Sequence, residues 1–95
     1  MQPLWKIRSG DFAGWRSSDI LYNGEGKNVG FFEDDLAFSL NGKYIGEIHH
    51  DDWIGKKMGV AHALKGSRVG YVGIALAPYS NRAGLSVGGW EDPDF

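Results

Sequence analysis

The chain has 95 residues, of which 42% are apolar and 14% aromatic, so it is predicted to form a single domain spanning residues 1–95 rather than a disordered segment. Its formal net charge of −2 disfavours general nucleic-acid binding, and the absence of cysteine excludes disulfides and thiolate-bound metals. No apolar run approaches the length of a membrane helix and no signal-peptide core is present, so we expect a cytoplasmic protein without membrane contacts.

The fifteen glycines are arranged in a repeat. Six pairs lie four residues apart, each with an apolar residue before the second glycine: Gly10/Gly14, Gly26/Gly30, Gly42/Gly46, Gly55/Gly59, Gly66/Gly70 and Gly84/Gly88. The first three pairs begin 16 residues apart, which indicates an internal repeat. Because two glycines per turn would cost a soluble helix about 2 kcal/mol relative to alanine, the repeat predicts β-hairpins.

Short apolar segments that precede these glycines are predicted strands; in chain order they are Leu4–Arg8, Ile20–Tyr22, Leu36–Leu40, Ala61–Leu64 and Ile74–Ala77. The first glycine of each pair is expected at a turn with positive φ, most clearly at Asn41-Gly42. The second glycine is expected inside the return strand, where neighbouring hairpins crowd around a shared centre. Residues 78–82 are predicted to form a loop, and residues 91–95 a frayed tail.

The middle of the chain carries the repeat in its clearest form. Segments 20–34 and 36–46 each contain a short apolar strand, a polar turn and the sequence Gly-Lys-x-Val/Ile-Gly. This pattern resembles the bacterial 4-fold β-flower domain, in which short hairpins repeat around a pseudo-fourfold axis. The resemblance implies a bacterial protein of that fold and carries no activity to any residue. We predict an all-β fold of repeated short β-hairpins in a closed meander, either a pseudo-symmetric flower or a small barrel.

The segment from Glu47 to Asp52 holds the side chains best suited to chemistry. On a strand, Glu47, His49 and Asp51 would point the same way and offer oxygen and imidazole ligands to zinc or manganese. A small metal-assisted hydrolase is therefore one alternative function. No further residue at a metal-ligand spacing completes the set, so a solvated strand end without a cofactor is the simpler interpretation.

Aromatic residues recur at the position after the second glycine, as Trp15, Phe31 and Tyr71. Such a column predicts either core packing or a surface on which a sugar or peptide stacks. Glu47 is the charged member of this column and must be either solvated or paired, with His49 or Lys43 as the expected partners. The candidate ligand-binding residues are Glu47, His49, Trp15, Trp53 and Tyr71.

A local basic patch leaves a second alternative open. Lys56, Lys57, Lys65 and Arg68 lie close in sequence to Trp53 and Tyr71, a combination found in proteins that bind single-stranded nucleic acid. The acidic residues elsewhere oppose this function electrostatically. The favoured function is a non-catalytic module that binds a small molecule or a protein, and a homo-oligomer is also open.

Overall fold

The computed structural model covers residues 1–95, and its regular secondary structure consists of β-strands. The eight strands are β1 Gln2–Lys6, β2 Phe12–Ser17, β3 Ile20–Asn23, β4 Asn28–Glu33, β5 Leu36–Ser39, β6 Tyr44–His49, β7 Trp53–Lys57 and β8 Trp90–Glu91. Strands β1 to β7 are antiparallel to their sequence neighbours, and β7 pairs with β1 in parallel, with Trp5 opposite Trp53. The result is a closed seven-strand barrel, which confirms the predicted all-β closed meander.

Three hairpins, β1–β2, β3–β4 and β5–β6, repeat one geometry. Each has a register shift before its turn, and each turn contains a glycine with positive φ: +76° at Gly10, +81° at Gly26 and +87° at Gly42. The predicted turn positions of these glycines are confirmed. Since β-branched and other L side chains are strained at such φ values, glycine is required for the tight turn.

The second glycines of these hairpins lie where strands approach closely. A Cβ atom added at Gly14 would come within 1.9 Å of the Tyr22 carbonyl oxygen, and one at Gly30 within 2.2 Å of the Phe38 carbonyl oxygen. A side chain at either position would therefore overlap the backbone of the neighbouring strand. The core cluster takes one residue from each of β1 to β7: Leu4, Ala13, Leu21, Phe32, Ala37, Ile45 and Ile54.

The C-terminal residues pack against the closed barrel. Strand β8 pairs with β7, with Trp90 opposite Lys57, and the Asp94 N–H donates to the Ile45 carbonyl oxygen at 3.0 Å. The Phe95 side chain packs against the core cluster. The predicted frayed tail is therefore wrong: burial of an apolar terminal side chain offsets the entropy lost by ordering it.

Residues 58–89, which we call the belt, connect β7 to β8 without forming a strand. The predicted strands Ala61–Leu64 and Ile74–Ala77 are wrong, whereas the predicted loop at residues 78–82 is confirmed. The edge of β7 pairs with β1 at Trp53 and Ile54 and with β8 at Lys56 and Lys57, so this edge is not available to strands from the belt. The belt instead contacts the three glycine turns in reverse order, at Gly42, Gly26 and then Gly10.

Candidate binding surface

The first half of the belt is attached to the barrel through every third residue. The backbone N–H groups of Lys65, Arg68, Tyr71 and Ile74 donate to oxygens of the barrel at 2.7–2.9 Å. Their acceptors are the carbonyls of Gly42, Leu40 and Gly26 and the side chain of Asn28. Between these attachment points, Val69 and Val72 point away from the barrel and are each 91% exposed, whereas Gly70 and Gly73 lie close to Leu40 and Gly26.

Cationic side chains of the belt point back to the barrel. The Arg68 guanidinium lies 3.9 Å from the Phe31 ring centre and 2.9 Å from a carboxylate oxygen of Asp19. The Arg82 guanidinium lies 3.4 Å from the Trp5 ring centre. The hydrogen bond from Arg68 lowers the pKa of Asp19 below its usual value. These cations therefore fasten the belt by stacking and ion pairing.

The outward side of the belt is apolar. Eight of the nine large apolar side chains exposed on the protein belong to the belt, and of these Tyr79 also stacks on Phe12 of the barrel: Met58, Val60, Leu64, Val69, Tyr71, Val72, Leu76 and Tyr79. Residues 69–81 are thirteen consecutive residues without a charged side chain, although 23% of the whole chain is charged. An extended apolar surface of this kind is typical of an interaction site, because isolated exposed apolar residues are normally scattered.

Glu47, a predicted ligand-binding and metal-binding residue, is paired within the protein. Only 12% of its side chain is exposed; the Tyr44 hydroxyl donates to its carboxylate at 2.7 Å and the Lys57 ammonium lies 3.5 Å away. Burial, followed by the hydrogen bond to Glu47, raises the pKa of Tyr44. The expected partners His49 and Lys43 are not the ones that Glu47 contacts. Beside this pair, the His62 ring packs on Tyr44, and its buried Nε2 atom has no hydrogen-bond partner.

The other two proposed metal ligands are separated from Glu47. The His49 ring packs against His50 and Trp90, with ring centres 4.2 and 4.9 Å apart, and its pKa is lowered by burial and then by the charges of His50 and Lys57. Asp51 is exposed in the turn before β7, at φ +61°. No three His, Asp or Glu side chains come together in an arrangement that could hold a metal ion.

The three aromatic candidates lie in different environments. Trp15 is 2% exposed and packs edge-on against Phe12, so it is a core residue. Trp53 is half-buried, with the Arg82 guanidinium 5.7 Å from its ring centre. Tyr71 is exposed on the belt. The structure therefore does not bring the proposed ligand-stacking residues together, and Tyr71 alone belongs to the apolar surface.

One open cleft lies at the end of the barrel that carries the glycine turns. Its volume is about 230 Å³, below the roughly 300–1,000 Å³ of most small-molecule sites. The cleft is lined by Lys6, Phe12, Ala13, Asn23, Gly24, Glu25 and Phe95. None of the predicted site residues faces this cleft, so it does not unite them.

A family model described as "4-fold beta flower protein" matches residues 7–84. The chain belongs to the 4-fold beta flower family. This membership confirms the family resemblance of the hairpin pattern. The match continues through the belt to Gly84, so most of the belt is part of the domain that defines the family. No curated protein and no solved structure matches the chain.

The structure contains no helix with the length and apolar character needed to span a membrane. Sequence reasoning missed the belt as a surface, because the glycine pairs within it predicted further hairpins. The signal that could have identified it is the uncharged run at residues 69–81, which follows the last strand of the regular repeat.

Proposed function

We propose that the protein is a non-catalytic protein-interaction module and that residues 69–81 of the belt form its binding surface. The observation that supports this function most strongly is the concentration of exposed apolar side chains on one segment, with Val69 and Val72 each 91% exposed. Covering a fully exposed valine or leucine with a partner contributes about 1.5–3 kcal/mol. The segment therefore gains more from a protein partner than from a small polar ligand.

The construction of the belt also supports this function. Its cations Lys65, Arg68 and Arg82 are paired with carboxylates of the barrel, so they hold the belt in place without adding charge to its outer side. A segment without strands thereby acquires a defined shape before a partner arrives. Such preorganisation reduces the entropy lost on binding.

A nucleic-acid surface is the less favoured alternative, because its basic residues are already neutralised. Lys56, Lys57, Lys65 and Arg68 each form an ion pair, with Asp94, Glu47, Glu33 and Asp19 respectively. A phosphate would have to displace a carboxylate at each position. The metal-assisted hydrolase is less favoured as well, because Glu47 is engaged with Tyr44 while Asp51 lies in an exposed turn.

Site-specific photocrosslinking in the native host tests the proposal. Val72 is replaced by p-benzoyl-phenylalanine, because an exposed position can accept this large side chain. The crosslinked protein is then identified by mass spectrometry. The matched control carries the same residue at Glu91, an exposed position on β8 outside the belt. We expect one reproducible protein adduct from position 72 and none from position 91. Equal adducts from both positions, or none from either, would contradict the proposed surface.

A further inference from the structure

We propose that the partner of the belt is a second copy of the chain, so that residues 69–81 of two molecules pack against each other across a twofold axis. This inference rests on the proposed function and names its partner. Three observations carry it: the charge of the segment, the apolar area that it offers, and the backbone groups that it leaves unpaired.

The absence of charge on residues 69–81 favours an uncharged partner surface, such as the same segment of a second copy. Residues 69–81 are uncharged, and the flanking Arg68 and Arg82 are neutralised by Asp19 and Asp52 at 2.9 and 3.1 Å. An acidic or basic partner would lose hydration here without meeting an opposite charge. A second belt loses no hydrated charge, and the chain's net charge of −2 produces little repulsion between two copies.

The exposed apolar area matches that of a stable dimer. The segment carries five large exposed apolar side chains together with exposed alanines and a proline: Val69, Tyr71, Val72, Ala75, Leu76, Ala77, Pro78 and Tyr79. Together they offer an area of the order of the ~800 Å² that each partner contributes to a standard interface. A twofold dimer uses the same patch on both molecules, so one self-complementary segment is sufficient.

Unpaired backbone groups accompany the exposed side chains. The N–H groups of Val69, Gly70, Val72 and Gly73 form no hydrogen bond within the chain, whereas the Arg68 and Ile74 N–H groups on either side donate to the barrel. Free N–H and C=O groups on an exposed segment are available for pairing with another chain. In an isologous dimer with the axis across the segment, the two copies run antiparallel.

The oligomeric state provides the first test. Sedimentation equilibrium of the full chain should give twice its mass of 10.5 kDa at micromolar concentration. The variant with Val69→Ser and Val72→Ser removes four valines from the dimer, so we expect its dissociation constant to rise by more than about 100-fold. Leu64→Ser is the matched control: this residue is 74% exposed on the same belt but lies outside the proposed segment, and the control should still dimerise.

Cysteine crosslinking tests the twofold arrangement. The chain has no cysteine, so single-cysteine variants from Val69→Cys to Ala77→Cys each introduce one thiol. In an antiparallel pair, only a residue near the axis meets its own copy, so disulfide dimers should form at one position and decline on both sides of it. Equal crosslinking along the whole segment, or none at any position, overturns the arrangement.

Two other results separate this inference from the function on which it rests. If the chain remains monomeric at every concentration up to its solubility limit, while the photocrosslinker at position 72 captures a different identified protein, the second-copy inference fails and the interaction module stands. If the chain remains monomeric and nothing is captured, both fail. A dimer that persists unchanged in the double serine variant also overturns the inference, because its interface then lies elsewhere.

Discussion

The barrel, residues 1–57, and the belt, residues 58–89, contain the same glycine spacing and fold differently. All fourteen buried apolar residues lie in the barrel, and no residue of the belt is buried. In the barrel, Gly14 and Gly30 permit contact between strands; in the belt, no atom lies within 4 Å of a Cβ added at Gly66 or Gly88. Gly84 is the belt glycine that does approach another backbone, since its added Cβ would lie 1.8 Å from the Arg8 carbonyl oxygen, yet no hairpin forms there. The glycine spacing alone therefore does not determine a hairpin.

The largest contrast is expected between Gly14→Ala and Gly66→Ala. Gly14 has φ +144° and its added Cβ would overlap the Tyr22 carbonyl, so the free energy of unfolding should fall by about 3 kcal/mol or more. Gly66 has open space and no positive φ, so alanine there should be neutral or stabilising by about 0.4–1 kcal/mol. Urea denaturation of the two variants measures both values. Similar losses in both would show that the belt glycine also lies in a packed hairpin.

The hairpins could be predicted from the sequence because their determinants are local. Gly26 and Gly42 lie in turns within a few residues of the strands that they join, and an apolar residue, Val29 or Ile45, precedes the second glycine within each return strand. The belt could not be predicted this way, because its conformation follows from closure of β7 onto β1. That closure joins Trp5 and Trp53, which are far apart in the chain.

The candidate site was predictable in part. Glu47 was expected to be solvated or paired, but simple strand alternation places residues three apart on opposite faces, which hides Tyr44 as its partner. The register shift beside Tyr44 changes that alternation, so the two side chains meet. The exposed apolar run at residues 69–81 is visible in the sequence, but its exposure depends on which residues the belt turns toward the barrel.

A second, smaller contrast separates backbone strain from contact with the belt. Gly42 and Gly59 have similar φ values, +87° and +77°, but only at Gly42 would a Cβ meet another residue, the Lys65 carbonyl oxygen at 1.9 Å. Gly59→Ala should cost about 1 kcal/mol from strain alone. Gly42→Ala should cost about 2 kcal/mol, because the belt must also move away and lose its hydrogen bonds there. Thermal denaturation gives the values, and proteolysis of the belt should accelerate for Gly42→Ala alone. Equal costs would mean that the belt contact contributes nothing.

A third prediction concerns the fastening of the belt at Arg82. Its guanidinium stacks on Trp5 and pairs with Asp52, a geometry that a lysine ammonium cannot reproduce. Arg82→Lys should make local opening of the belt easier by about 1 kcal/mol. Hydrogen exchange would then increase at the amides of residues 82 and 85, while the amide of Ile54 in the barrel stays protected. Asp52→Asn, which keeps the stacking, is the control and should have a smaller effect. Equal acceleration at Ile54 would show that belt and barrel open as one unit.

The smallest expected effect lies at the junction where the belt returns to the barrel. His49 on β6 packs against Trp90 of β8, and burial, followed by the charges of His50 and Lys57, lowers its pKa from 6.5. The unfolded chain therefore binds the proton at a higher pH than the folded chain. Stability contributed by the neutral imidazole is complete above about pH 6.5 and declines as the pH falls toward the lowered pKa.

Denaturation at a series of pH values should show this decline in the unmodified protein and a shallower one in His49→Gln. His50→Gln serves as the control: it removes the second cause of the shift but leaves burial, the first, so its slope should lie between the other two. Because Trp90 begins β8, the same protonation should weaken the contact that ends the belt, and the pH dependence of the fluorescence that is lost in Trp90→Phe would report it. An identical pH slope in His49→Gln and the unmodified protein would mean that the imidazole is equally solvated in both states, and that the junction is open to water like the belt rather than packed like the barrel.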